Sequence, residues 1–171
     1  MLNHGYMPGD ILVACDNELG IEPGYLGHSA IVVDSDHIVE AVILFPHVKF
    51  SGIGSFTSVH PKHAVFRPRS ESLGRLAADY AVKYCRLSQF NYGRGINVPP
   101  FSFNPRYPLD DEWASIYCSK LIWLSYHYGA GCTFYNDFFL FTPEDLDTLL
   151  SRDPRFITIY RHPEFKFLID T

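Results

Sequence analysis

The sequence predicts an α+β fold in which an antiparallel β-sheet, or partial barrel, packs against a few helices. Three observations carry this. Short runs rich in Val, Ile, Leu and Phe are separated by turn signals at Pro8-Gly9-Asp10 and Asp34-Ser35-Asp36. Apolar residues three and four apart recur from Leu73 to Leu87 and again across Ser115 to Tyr128, the period of a helix face. The blocks show no regular strand-helix-strand alternation, so a parallel crossover sheet is not indicated. At 171 residues the chain is read as one domain, 1–171. That length buries roughly 70% of the unfolded surface.

Each element follows in order. Ile11 to Cys15 is an apolar strand after the first turn, and Asp16 to Gly27 is a loop long enough to border a cleft. Ser29 to Asp34 and His37 to Phe45 read as a hairpin across Asp34-Ser35-Asp36, with shorter strands at Val48 to Phe50 and Ala64 to Phe66. Ser70 caps a helix whose buried stripe is Leu73, Leu76, Ala77, Tyr80, Ala81, Tyr84 and Leu87. Gln89 to Asp110 is a long loop expected to wall a substrate site. A second helix over Ser115 to Tyr128 stops at Gly129-Ala130-Gly131. Thr142 caps a third that starts at Pro143, and Arg155 to Tyr160 is the last strand.

Composition narrows the function. Hydrophobic residues are 47% and aromatics 16%, enough for a core and against a disordered chain. A net charge of −5 with no basic run argues against a nucleic-acid partner. Cys15, Cys85, Cys118 and Cys132 are far apart with no CxxC pair, so neither a disulfide framework nor a cysteine zinc site is indicated. His60-Pro61-Lys62-His63 offers two metal ligands but reads as a turn because of its proline, so no metal and no cofactor are expected. No apolar run is long enough for a transmembrane segment and no signal peptide opens the chain. As written it reads as cytoplasmic, with export of a longer precursor left open. No oligomeric state is read.

Three residue types suggest chemistry. With Ser115 as N-cap, Cys118 falls at the third helical position, where free backbone N–H groups and the dipole favour a thiolate. The alternative is a small buried apolar residue. His28 heads a strand and is either a base for Cys118 or a structural imidazole. Glu40 interrupts the apolar run Ile-Val-Glu-Ala-Val-Ile-Leu, and a carboxylate there needs a partner unless the strand is a solvated edge. Hairpin register decides between these. A three-residue turn pairs Val33 with His37 and sets Ala30 opposite Glu40, leaving His28 and Glu40 on one face as diagonal neighbours. An even turn sends Glu40 to the other face. Tyr117 is either an oxyanion or substrate-carbonyl donor or a core aromatic. His127, more than two turns beyond Cys118, is placed on the surface.

At these residues the chain resembles a known group. Pro-Gly-Asp-Ile-Leu, Gly-His-Ser-Ala-Ile-Val-Val, His-Ile-Val-Glu-Ala, Tyr-Cys-Ser-Lys-Leu-Ile and Thr-Pro-Glu-Asp-Leu, over residues 8 to 146, are similar to circularly permuted NlpC-type papain-like hydrolases of the YiiX/YaeF-like branch. The permutation puts the histidine strand before the cysteine helix. The resemblance implies Cys118 as nucleophile, His28 as base, Glu40 as orienter and Tyr117 as the family's aromatic beside the cysteine. It implies a cysteine amidase or peptidase acting on a small peptide or amino-acid amide, cell-wall peptides being the best-known substrates. Some relatives instead transfer acyl groups on lipids, so an acyltransferase or phospholipase is the rival reading, and a non-catalytic binding module is the third. The segment Asn91 to Asp110 lies outside the resemblance.

Overall fold

The first strand, β1 (Ile11–Ala14), is apolar at every position because both of its faces are covered. The computed structural model describes residues 5–15, 26–137 and 139–167. The predicted Asp16 to Gly27 loop therefore lies mostly outside the described residues. In β1, Ile11 and Val13 enter the larger core cluster, while Leu12 and Ala14 enter a second cluster on the opposite face. Each fully buried Ile, Leu or Val stabilises the fold by roughly 1.5–3 kcal/mol relative to an exposed one, which keeps this strand at the centre of the sheet.

The sheet is antiparallel throughout, in the order β4-β3-β2-β1-β5-β6. Its other strands are β2 (His28–Val32), β3 (His37–Ala41), β4 (Val48–Gly52), β5 (His63–Pro68) and β6 (Phe156–Arg161). The larger cluster joins one face to helices α2 (Glu71–Arg94), α3 (Cys118–Leu124) and α4 (Pro143–Arg152). The smaller cluster joins the other face to α1 (Ile53–Val59) through Ile53 and Phe56. An α+β architecture with helices on an antiparallel sheet agrees with the expectation. The sheet is open, with β4 and β6 as its edges.

Local signals hold where side-chain chemistry is short-range. Ser70 Oγ accepts the Leu73 N–H at the start of α2, and Thr142 and Asp145 form a reciprocal capping box on α4 with Pro143 in the first turn. Other expectations are corrected. The Cys118 helix is capped by Tyr117, not Ser115, so Cys118 is its first residue and not its third. Ser115 is buried and accepts from Lys120 Nζ at 3.5 Å instead. After Leu124 the chain continues as a π-helical turn, Ser125–Gly129.

Helix α2 runs on to Arg94, so its last turns occupy the start of the predicted loop. Its buried face is Gly74, Ala77, Ala78, Ala81, Tyr84 and Cys85, and Leu76 and Leu87 are 49% and 45% exposed. Close packing selected the small residues over the leucines. Helix α1 had no sequence signal. Gly54, Ser55, Thr57 and Ser58 are poor helix formers, and no side chain caps it. Among the described residues no helix is long and apolar enough to cross a membrane.

The small-residue face of α2 brings Gly74 against Gly9, whose φ is +90°. A Cβ on Gly9 would stand 2.2 Å from the Gly74 Cα, a backbone atom that cannot yield. Gly95 also has positive φ but open space around it. We predict that Gly9→Ala costs on the order of 3 kcal/mol in urea denaturation, combining overpacking with the wrong φ, and Gly95→Ala about 1 kcal/mol. Equal costs would show that the helix-strand contact is not tight.

Candidate active site

The loop joining β2 and β3 determines where Glu40 points. Asp34 Oδ1 accepts the backbone N–H groups of Asp36 (2.9 Å) and His37 (2.8 Å), closing a turn around Asp34-Ser35-Asp36. The Val33 N–H donates to the His37 carbonyl at 3.0 Å, and Ala30 pairs with Glu40. This is the odd-turn register, and its consequence is direct. His28 Nε2–H donates to Glu40 Oε2 at 2.7 Å, both side chains being buried.

Glu40 is held from a second side by β4. Ser51 Oγ donates to Oε1 at 2.5 Å, and Lys49 Nζ stands 3.5 Å from the same oxygen. Burial pushes the Glu40 carboxyl up, but the His28 hydrogen bond and charge, with Ser51 and Lys49, outweigh it and bring it down to about 2. The carboxylate is ionised at any ordinary pH.

The imidazole is packed as well as bonded. Phe56 stacks on His28 at 5.6 Å between centroids, and the His60 ring lies 5.1 Å away. Burial works against a charged ring, yet Cys118 and Glu40 raise His28 to about 10. Its Nδ1 is buried and makes no hydrogen bond of normal geometry. The thiol and ring therefore couple as neighbouring charges, in the looser arrangement common to sites without substrate.

Cys118 is fully buried. Burial pushes the thiol up, but His28, followed by the Ser29 hydroxyl and backbone amide, holds it below its ordinary value. The helix-terminus argument made from sequence thus has a stronger local cause, an imidazole and a serine supplied by β2. By contrast, burial pushes the Cys85 thiol up to about 12 and raises Cys132 as well.

Tyr117 is buried, with its ring 5.1 Å from that of Phe103. Burial raises its phenol above the ordinary value against an opposing hydrogen bond from the Phe141 backbone. His127 is half-buried rather than on open surface, stacked on Trp123 at 4.4 Å and hydrogen-bonded to Thr133 Oγ1 at 2.7 Å. Sequence reasoning missed Ser29, Lys49, Ser51 and Phe56, and weighed His60 only as a metal ligand, not as a neighbour of His28. Lys49 and Ser51 meet Glu40 only through the β3–β4 pairing, which sets Lys49 opposite it.

No protein-family model matches the chain, and no curated protein does either. A solved structure does. It is the crystal structure of metalloprotein yiiX from Escherichia coli O157:H7, DUF1105, with a TM-score of 0.61 at 15% identity. The match covers 92% of this chain and 98% of that one. This chain has the yiiX fold. The neighbour is described as a metalloprotein, so the donor set here is pertinent. Among the described residues no three His, Cys, Asp or Glu side chains are placed to hold a metal ion. In the yiiX fold of this chain, Glu40 occupies His28 Nε2, and His63 Nδ1 donates to the His60 carbonyl at 2.8 Å.

Two predictions follow from the charges. A His28 raised from 6.5 to about 10 stabilises the fold fully below pH 6.5, and this is lost as pH rises through about 10. A Glu40 lowered from 4.5 to about 2 stabilises fully above pH 4.5, and this is lost as pH falls through about 2. The urea-stability gap between wild type and Glu40→Gln is expected to be widest between pH 4.5 and 6.5. A gap that does not vary with pH would contradict the pairing. Second, the ultraviolet thiolate absorbance lost in Cys118→Ala should titrate below 9.0 in wild type and at higher pH in His28→Ala, where only the Ser29 hydroxyl and backbone amide still oppose burial.

Proposed function

We propose that this chain is a cysteine hydrolase, an amidase or peptidase of the circularly permuted NlpC-type papain-like kind, formed by a single domain. Its substrate is a small peptide or amino-acid amide. The observation that carries the reading is the buried His28–Glu40 pair lying against a thiol held below its ordinary value. A purely structural histidine and cysteine would not need a buried, ionised carboxylate on the far ring nitrogen.

In the proposed mechanism the Cys118 proton resides on His28. Thiolate sulfur attacks the amide carbonyl carbon, and the tetrahedral oxyanion is met by the Cys118 backbone N–H, free in the first turn of α3. Tyr117 is the proposed second donor, a role that requires its hydroxyl to leave the Phe141 backbone. His28 then gives its proton to the leaving nitrogen as the C–N bond breaks, leaving a thioester. Water attacks the thioester while His28 takes one of its protons. The acid departs, and that proton again rests on His28 beside the thiolate. Glu40 keeps Nε2–H oriented and stabilises the imidazolium throughout.

The test is turnover of short peptides and aminoacyl amides by wild type and variants. Cys118→Ala and His28→Ala should each lose roughly 10⁴-fold or more in kcat, because groups that act as a unit fail together. Glu40→Gln should lose less, and Tyr117→Phe should lower kcat by about tenfold or more if the phenol serves the oxyanion. Undiminished turnover by Cys118→Ala would end the proposal. Cys118-dependent cleavage of short-chain phospholipids with amides untouched would replace it with the acyl-lipid reading.

A further inference from the structure

A cleft of about 540 Å³ lies beside α3; Tyr117 lines it, and its other lining residues have no part in the proposed reaction. Tyr117, Trp123 and His127 are among its lining residues. Trp123 is five residues beyond Cys118, about 140° around a helix, so the Trp123 end of the cleft faces away from the thiol. This volume is within the ordinary range of small-molecule sites.

Both walls are preformed. On one side the Pro108 carbonyl accepts from Lys120 Nζ (2.9 Å), the Asp110 carbonyl from Tyr128 (2.7 Å) and the Glu112 carbonyl from Tyr84 (2.5 Å). On the other side Trp123 Nε1 donates to the Phe134 carbonyl at 3.0 Å, and Asn136 Nδ2 donates to the Phe139 carbonyl at 3.0 Å. These bonds hold the walls apart and leave the space between them open.

The chemistry of the lining is one-sided. Tyr107, Tyr135 and Phe139 at the rim are 40%, 73% and 63% exposed and make no ring contact among the described residues. Asp110 supplies an exposed carboxylate, and no Lys or Arg is among the lining residues. The Lys120 ammonium is buried, turned to the Pro108 carbonyl. The Arg-over-ring contacts of the described residues involve Phe90, Phe66 and Phe165, all elsewhere. Aromatic faces are negative and attract a cation, and a carboxylate adds to that attraction. An anion would meet no lysine or arginine among the lining residues.

We propose that this cleft is a second ligand site, for a small free organic cation of the alkylammonium type. Although Tyr117 is shared with the proposed reaction, binding here does not require the Cys118 thiol. Titration calorimetry on the full chain with choline tests it, against dimethylbutanol, in which carbon replaces the charged nitrogen, and against phosphocholine, which adds an anion. Saturable choline binding is expected, at least about fivefold tighter than either comparison ligand. It should weaken about fivefold in Tyr135→Ala, an exposed position that does not threaten folding, weaken in Asp110→Asn, and persist in Cys118→Ala. Absence of saturable choline binding would overturn the proposal. So would equal binding of dimethylbutanol, tighter binding of phosphocholine, or choline affinity unchanged in both Tyr135→Ala and Asp110→Asn.

Discussion

The count of residues between β2 and β3 is the constraint on which this site depends. Asp34 closes a three-residue turn by accepting two backbone N–H groups, and that odd number sends Glu40 to the face of His28. A slip of one residue would invert every side chain of β3, moving Ile38 to the face of the larger cluster and turning a carboxylate away from its imidazole. Because both faces of β3 are buried, the turn and the ion pair, not the apolar pattern, enforce the register. Ile38 packs with Leu12, Ala30 and Phe56 on the α1 face, while Val39 packs in the larger cluster.

Around that hairpin the sheet acts as a rigid frame. β1 is anchored at its start by Asp10, which is fully buried and clamped by Arg67 through Nε (2.8 Å) and Nη2 (2.6 Å). Tyr126, from the π-helical turn beyond the cysteine helix, donates to the Gly9 carbonyl at 2.5 Å. Ser119 Oγ, next to the thiol, donates to the Phe141 carbonyl at 2.6 Å. The cysteine helix is thus tied at both ends, to the turn before β1 and to the segment before α4. Placement of a nucleophile depends on such supports, since small displacements cost large factors in rate.

The same helix has two unlike neighbourhoods. Toward β2 the thiol meets a charged, hydrogen-bonded pair excluded from water, where electrostatic coupling is strong. Toward residues 104–110, 133–136 and 139–140 lies an aromatic cleft with an acidic rim. Lys120, buried between Pro108 and Ser115, fastens the long connection to α3 and so separates the two environments. Burial brings this ammonium down to about 8 against the nearby Asp111 and Asp110 charges.

Much of the frame was readable in one dimension because its causes are local. Ser70, Thr142 and Pro143 cap helices through contacts a few residues apart, and Asp34-Ser35-Asp36 sets a register through its own side chain. Cys118, His28 and Glu40 could be named because each residue type conflicts with its apolar surroundings, and the turn length predicts that two of them meet. Other features depend on partners distant in the chain. Ser51 reaches Glu40 only through β3–β4 pairing, and His60 reaches His28 only because α1, itself without helix signals, packs across the sheet. The face α2 buries is the one whose small residues admit close neighbours, Gly74 against Gly9 and Ala77 against Gly129, while Leu76 stays exposed. The sequence by itself determined the strands, the caps and the chemistry of three residues, since these follow from nearest neighbours and period. Only the tertiary structure decided the thiol's environment and the aromatic cleft, because burial and charge coupling arise between segments that sequence distance does not relate.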